Sequence, residues 1–201
     1  RWISKGRDKM SFYLPMMFDT RGKKILVVGG GAIACEKLTR IVDLSAKIKV
    51  IAKEYSEQTL RLLGDKNIKY KTREFKAKDL DGIDIVIAAV DDAKLQEKIY
   101  KKASKRKILC NAVDLADYCH FIFPSIIRKG DLVLSISTSG ASPAMAKYLK
   151  KAFESYIPHD IEEFLQLMRQ KRSELPKGKE RMKILDEIAR EYINTKFGDK
   201  I

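Results

Sequence analysis

A short β-branched run, Ile25-Leu26-Val27-Val28, ends abruptly on three glycines and reopens on small residues as Gly29-Gly30-Gly31-Ala32-Ile33-Ala34. A strand that stops on G-x-G and continues as a helix is the context in which this relaxed G-x-G-x-x-A pattern has a physical meaning. The first glycine, Gly29, permits the tight turn from strand to helix. Gly31 lets the backbone approach a pyrophosphate, and the small Ala34 lets the helix lie close to the strand. The first turn of that helix offers unpaired N–H groups to an anion. Ala34, Leu38, Ile41 and Val42 recur at helical spacing and predict one buried helix face. Gly29, Gly30, Gly31, Ala32 and Ile33 are therefore the first candidate contacts of a dinucleotide.

The following pattern extends the unit. Strands are predicted over Ile48–Ala52, near Lys69–Phe75, over Ile83–Ala89 and over Ile108–Ala112, with a helix from Ala93 to Lys105. The run Ile83–Ala89 is apolar throughout, as a strand buried on both faces requires. Strands alternating with helices predict an α/β fold, a Rossmann-type parallel sheet with right-handed crossovers. Ligands in such sheets bind beyond the carboxyl ends of the strands. Three segments fall there. Lys53 and Glu54 follow the second strand: Glu54 suits ribose hydroxyls, whereas Lys53 suits a 2′-phosphate, so the residues leave NAD and NADP both open. Val90-Asp91-Asp92 either lines the cofactor site or caps the next helix, aspartate being a good N-cap. Asn111-Ala112-Val113-Asp114 brings an acid to the same edge, where Asp114 is a candidate general base or a turn residue.

The pattern changes after about residue 120. Phe121–Ile127 reads as a strand interrupted by Pro124, Arg128-Lys129-Gly130-Asp131 as a turn, and Leu132–Ser137 as a partner strand. Thr138–Pro143 is a small-residue loop before a helix whose apolar stripe is Met145, Tyr148, Leu149, Ala152, Phe153 and Tyr156. Two further helices, divided near Pro176-Lys177-Gly178, carry stripes read as ordinary core faces: Ile161, Phe164, Leu165 and Met168, then Met182, Leu185, Ile188, Ala189 and Tyr192.

The charge is +14, and +13 of it falls in residues 1–154. Such an excess attracts polyanions, whether nucleic acid or a small multi-carboxylate or phosphate ligand, although no groove-reading motif accompanies it. Cys35, Cys110 and Cys119 form no close pairing, so neither a disulfide framework nor a zinc knuckle is expected. Nothing in the run Cys119-His120 makes a metal site by itself. No apolar stretch reaches the roughly 20 residues of a membrane span, and Arg1–Met10 lacks the apolar centre of a signal peptide. A cytoplasmic protein is expected, with Met10 a candidate natural start.

Six motifs then recur in order: Tyr13-Leu14-Pro15; Val27–Gly31 with Glu36-Lys37; Ala88–Asp92; Cys110–Asp114; Phe123-Pro124-Ser125; and Ser137–Pro143. Together, from about Phe12 to Pro158, the chain resembles the precorrin-2 dehydrogenase and sirohydrochlorin ferrochelatase family, also found as the N-terminal module of sirohaem synthase. The resemblance implies NAD-dependent oxidation of precorrin-2 to sirohydrochlorin and, in some members, insertion of ferrous iron as a substrate. It implies a homodimer joined through about Pro124–Ser155, with the tetrapyrrole near that junction. It assigns Asp114 the catalytic role, with His120 near it in sequence to assist proton transfer or meet a metal, and sets Asn111, Ser125, Ser137, Thr138 and Ser142 near the substrate. The expected divisions are residues 10–123 for an NAD-binding domain, 124–155 for a dimerisation region, and 156–201 for a helical domain. A multi-carboxylate substrate agrees with the basic charge. Two other readings stand beside this one: an NAD(P)-dependent reductase of another acidic metabolite, and a non-catalytic nucleotide- or nucleic-acid-binding module.

Overall fold

The computed structural model describes residues 13–198, and Met10, with the start of the expected first domain, lies outside them. The chain divides into two compact units, one ending at Ile122 and the other beginning at Phe123.

The first unit is a five-stranded parallel sheet in the order β3-β2-β1-β4-β5. Its elements are β1 (Lys24–Val28), α1 (Ala32–Thr39), β2 (Lys47–Ala52), α2 (Glu57–Asp65), β3 (Lys69–Thr72), β4 (Ile85–Ala88), α3 (Ala93–Lys105) and β5 (Leu109–Ala112). From β1 the chain steps outward to β2 and β3, then returns to β4 on the other side. That reversal makes the β1/β4 boundary the topological switch point. Val28, the last residue of β1, pairs with Ile51 on one side and Ala88 on the other. The middle strands carry little but Ile, Leu, Val and Ala because both faces are covered. Leu26, Val28, Ile51, Val86 and Ala88 pack with Ile99 and Ala103 of α3 and with Ile108 and Cys110 at β5. Each large aliphatic side chain so buried contributes roughly 1.5–3 kcal/mol.

The expected helix after the glycines is shorter than its apolar spacing. Ala34 and Leu38 are buried on α1, whereas Ile41 is buried from the turn that follows. Thr39 Oγ1 donates to the Glu36 carbonyl at 2.7 Å, a local bond that competes with helix continuation. Likewise β3 stops at Thr72 instead of Phe75: the Arg73 N–H makes the last bond to β2, at Ala52 O, and the Arg73 side chain pairs with Asp79. After β5 the chain folds back along that strand. Asn111 and Cys119 form an antiparallel bridge, and the His120 N–H donates to the Cys110 carbonyl at 2.7 Å. This return segment covers the edge of β5 that would otherwise be unpaired.

In the second unit β6 (Ser125–Lys129) and β7 (Leu132–Ile136) form an antiparallel hairpin, followed by α4 (Pro143–Tyr156), α5 (Ile161–Glu174) and α6 (Lys179–Phe197). Gly130, at φ +54, and Asp131 make the two-residue turn. Pro124 stays outside the hairpin, having no N–H to give it. Ile127, Ile136 and Ala146 form a small core with Leu134, Leu149 and Ile157. Tyr192 of α6 stacks on Phe164 of α5 with ring centres 3.8 Å apart, and its hydroxyl donates to Asp160. The reading of the α5 and α6 stripes as core faces needs correction. Only Leu185 is fully buried; Ile161, Phe164, Leu165, Met168, Ile188, Ala189 and Tyr192 are half-buried, and Met182 is exposed. The α4 stripe lies largely outside the core as well, with Tyr148 and Tyr156 64% and 70% exposed. A two-stranded hairpin offers too little area to cover three helices. Among the described residues, no helix is long and apolar enough to cross a membrane.

Candidate active site at the carboxyl edge of the parallel sheet

The glycine turn is locked from both sides. Gly29 N–H donates to Ile51 O at 2.9 Å, Ala89 N–H to Val28 O at 2.8 Å, and Ser56 N–H to Gly30 O at 2.8 Å. Gly29 sits at φ +129, and a Cβ there would lie 2.0 Å from Ala89 O. A Cβ on Gly30 would lie 2.2 Å from Glu54 O, so the segment after β2 demands this glycine too. At Gly31 a Cβ would meet nothing, because the position faces open space. Gly31 is the N-cap of α1, and no side chain caps that helix, which leaves its first N–H groups available to a ligand.

This open side is one wall of a cavity of about 670 Å³. Gly29, Gly30, Gly31, Ala32, Ile33, Glu54, Val90, Asp91 and Asp92, the residues read from the sequence as cofactor contacts, all line it. So do Lys53, Arg73, Glu74, Phe75, Leu95 and Lys98. Sequence reasoning weighed Lys53 alone among these. The residues after β3 were missed because β3 is a short, fully exposed edge strand with no apolar signal of its own. In a parallel sheet whose order is known, the end of each strand beside the switch point marks such residues. The dinucleotide test is met by the chain's own geometry: a turn that only glycine can make, open space at Gly31, and an uncapped helix start beyond it.

The charged side chains around this cavity are partly engaged. Lys53 Nζ lies 2.8 Å from Glu74 Oε1, an exposed pair that contributes little to stability. Arg73 forks onto Asp79 at 2.6 and 2.8 Å, and the Lys76 N–H donates to the same carboxylate. The Arg73 hydrogen bonds hold Asp79 down from its ordinary 3.8 to about 2. The fold favours the ionised form, so the stabilisation is complete above about pH 4 and is lost as pH falls through 2. It is on the order of 2 kcal/mol. Acid titration of folding should show a loss between pH 4 and pH 2 that Asp79→Asn, already destabilised at neutral pH, no longer shows. Equal acid sensitivity of the two proteins would remove the pair from the stability account.

Asp92 has the capping role weighed for it: its Oδ1 accepts from Lys94 and Leu95 N–H at 2.9 and 3.1 Å while the residue also lines the cavity. Beneath the same loop the buried Gln96 donates to the Val90 carbonyl.

The expected catalytic residues, and Asn111 among the expected substrate residues, lie elsewhere in the first unit. Asp114 is exposed on the turn after β5 at φ +64 and does not line the cavity. His120 stands beside the start of β5, not beside that turn. Its Nδ1 accepts the Cys110 N–H at 3.0 Å, its Nε2 is 3.3 Å from Ser104 Oγ, and its ring stacks on Tyr100. Asn111 is 6% exposed and its Nδ2 donates to Phe121 O at 2.9 Å. Both residues hold the return segment to the sheet. Burial pushes the Cys110 thiol up to about 12 and raises Cys119, so both remain protonated. Among the described residues, no three His, Cys, Asp or Glu side chains gather as a cation site.

In the second unit the expected substrate hydroxyls shape one loop. Thr138 Oγ1 donates to Ser142 O and accepts from Ser142 N–H, Ser137 Oγ accepts from Ser139 N–H, and Ser142 Oγ caps α4 at Met145 N–H. Ser125 opens β6, opposite Ile136.

Comparison with known proteins places this geometry. Residues 16–125 match the family model NAD_binding_7, described as "Putative NAD(P)-binding". A siroheme synthase of Baumannia cicadellinicola is 38% identical over 146 residues, 73% of this chain and 32% of that protein. Siroheme synthase 1 of Serratia proteamaculans is 33% identical over 188 residues, 94% of this chain and 39% of that protein. The chain thus spans between about a third and two fifths of these relatives' length. Among solved structures, SirC, a precorrin-2 dehydrogenase, superposes with a TM-score of 0.72 at 24% identity over 88% of this chain and 89% of its own, a likeness of fold. The glycine turn, the switch-point cavity and the match across residues 16–125 lead to one conclusion: the chain belongs to the NAD(P)-binding family NAD_binding_7, and it is similar to siroheme synthases.

Proposed function

We propose that this protein oxidises precorrin-2 to sirohydrochlorin with NAD as the oxidant. The observation that carries the reading is the switch-point cavity, whose open face at Gly31 fits a pyrophosphate and whose owner resembles siroheme synthases and a precorrin-2 dehydrogenase. When bound, the dinucleotide supplies the hydride acceptor. The chain's residues do the remaining work. The α1 N–H groups hold the pyrophosphate, and Glu54, two residues beyond β2, accepts from the ribose hydroxyls. Val90 and Asp91 border the path toward the switch point.

Oxidation removes a hydride and a proton from the substrate, and the Asp114 carboxylate takes the proton. Asp114 is the preferred base because His120 already uses both ring nitrogens. His120 therefore acts as a positioning residue. Ser137, Thr138 and Ser142 of the second unit's polar loop, with Ser125 of β6, bind the substrate's carboxylates, and the net charge of +14 draws that multi-carboxylate substrate in. Residues 124–155 serve as the dimerisation region between an NAD-binding domain, 10–123, and a helical domain, 156–201. Met145, Tyr148, Phe153 and Tyr156 of α4 leave an apolar surface that a second copy would cover. The protein belongs to the cytoplasm on this reading, and ferrous iron, where chelation follows, enters as a substrate.

The test is spectroscopic. Under anaerobic conditions the purified protein, sedimenting at twice its chain mass, should convert enzymatically made precorrin-2 to the sirohydrochlorin spectrum only when NAD is present. Iron added to the same cuvette then reads chelation separately. A folded protein that binds NAD but leaves the precorrin-2 spectrum unchanged would transfer the site to another acidic metabolite.

A further inference from the structure

Helix α3 carries a lysine ridge that the dehydrogenase reading does not use. Lys94, Lys98, Lys101 and Lys105 recur at four-three-four spacing on the face opposite the buried Gln96, Ile99 and Ala103, with Lys102 beside them. The lysines and Glu97 border a groove of about 370 Å³. The one acid, Glu97, is paired with Lys101. Helix stability does not account for this row. Lysines at 102 and 105 complement the negative end of the helix dipole, but Lys94 sits in the first turn, where a cation is unfavourable, and that turn holds no acid. The pairs 94/98, 98/102 and 101/105 are like charges at i,i+4, each destabilising.

Lys98 has a second attribute: it borders both this groove and the cofactor cavity. An anion seated on the ridge therefore meets a side chain that also faces the dinucleotide.

We propose that the α3 ridge docks an acidic helix of a partner protein and, through the shared Lys98, lowers the affinity of the cofactor cavity while the partner is bound. From Lys94 to Lys105 the ridge extends about 16 Å, some three helical turns. Acidic side chains at i, i+3 and i+4 of a facing helix repeat at about the same 5–6 Å as the lysines. No aromatic ring stands in the row, since Tyr100 stacks on His120, so the ridge lacks the stacking platform of a single-strand nucleic-acid site. Binding and cofactor affinity must then be coupled reciprocally.

The experiment uses the full chain and a fluorophore-labelled, alanine-based helical peptide with glutamates at the ridge's own four-three-four spacing. Controls are the same peptide with its glutamates scrambled around the helix, a short DNA duplex, and tripolyphosphate. Anisotropy should show the patterned peptide binding about tenfold or more tighter than the scrambled one, a preference lost in a Lys94→Glu/Lys101→Glu/Lys105→Glu variant. Saturating peptide should weaken NADH binding about fivefold, and Lys98→Met should remove that effect. The triple variant should bind NADH as the wild type does, because none of its three positions lines the cofactor cavity, and this also reports its folding. Equal binding of the two peptides, tighter binding of the duplex or of tripolyphosphate, or unchanged NADH affinity in saturating peptide would each overturn the proposal. NADH binding by the peptide-free chain is read independently, so a failed ridge and a failed cofactor site give different results.

Discussion

Asp114→Asn should lower precorrin-2 turnover by about a hundredfold or more, the usual weight of a positioned general base, while NAD affinity stays within about twofold. Asparagine is the informative replacement. Asp114 lies at φ +64, a left-handed backbone that Asp and Asn tolerate better than other side chains. The turn it occupies is closed by the Leu115 N–H donating to Ala112 O at 3.2 Å. Alanine would remove the carboxylate and also add backbone strain of about 1–2 kcal/mol, so its effect would mix chemistry with folding. Asparagine removes only the proton acceptor. Turnover at the wild-type rate would end the assignment of Asp114 as base. A joint loss of turnover and NAD affinity would mean that the turn, not the carboxylate, is what matters at this position.

Much of the first unit was legible because its signals are local. Strand β1, the glycine turn and α3 stand where the residues predict them, the last with Asp92 as its cap, since apolar runs and caps are properties of a few adjacent residues. The misses are tertiary. Where α1 ends, Thr39 bonds to the Glu36 carbonyl three residues back, and just past β3 Arg73 reaches Asp79 six residues on. The sequence offers Gly30 only as a cofactor contact, yet its missing Cβ is also required by the Glu54 carbonyl, a contact visible only once β2 lies beside β1. His120 stands out in the sequence as a histidine six residues from the end of an acid-bearing motif; in space it follows the chain back to Cys110, because the return segment pairs with β5. The second unit read correctly in its order of elements and incorrectly in its burial. Helical spacing identifies an apolar face but not what covers it, and α4 shows an apolar face that its own unit leaves open.

The three glycines of the turn should separate by experiment into structural and ligand-facing residues. Gly29→Ala puts a Cβ 2.0 Å from Ala89 O and 2.7 Å from its carbon, at a φ of +129 that L side chains rarely adopt. Both partners are backbone, so relief requires β1 and β4 to part at their carboxyl ends, where the Ala89 N–H to Val28 O bond holds them. Strain alone costs about 1–3 kcal/mol, and the collision should bring the loss to about 3 kcal/mol or more, a large fraction of a domain's stability. The melting temperature should fall by roughly 10 °C. Gly31→Leu meets none of this. Its φ of −82 is ordinary and its Cβ would enter open space, so stability should change by no more than about 1 kcal/mol. The new side chain instead occupies the approach to the α1 N–H groups, and NADH affinity should fall by about a hundredfold, some 2.8 kcal/mol of binding. Thermal melting and NADH titration of both variants decide the matter. A Gly29→Ala protein that melts with the wild type would contradict the turn as built. A stable Gly31→Leu protein with unchanged NADH affinity would remove the dinucleotide from this cavity, and with it the reason to look for a hydride acceptor beside β1 and β4.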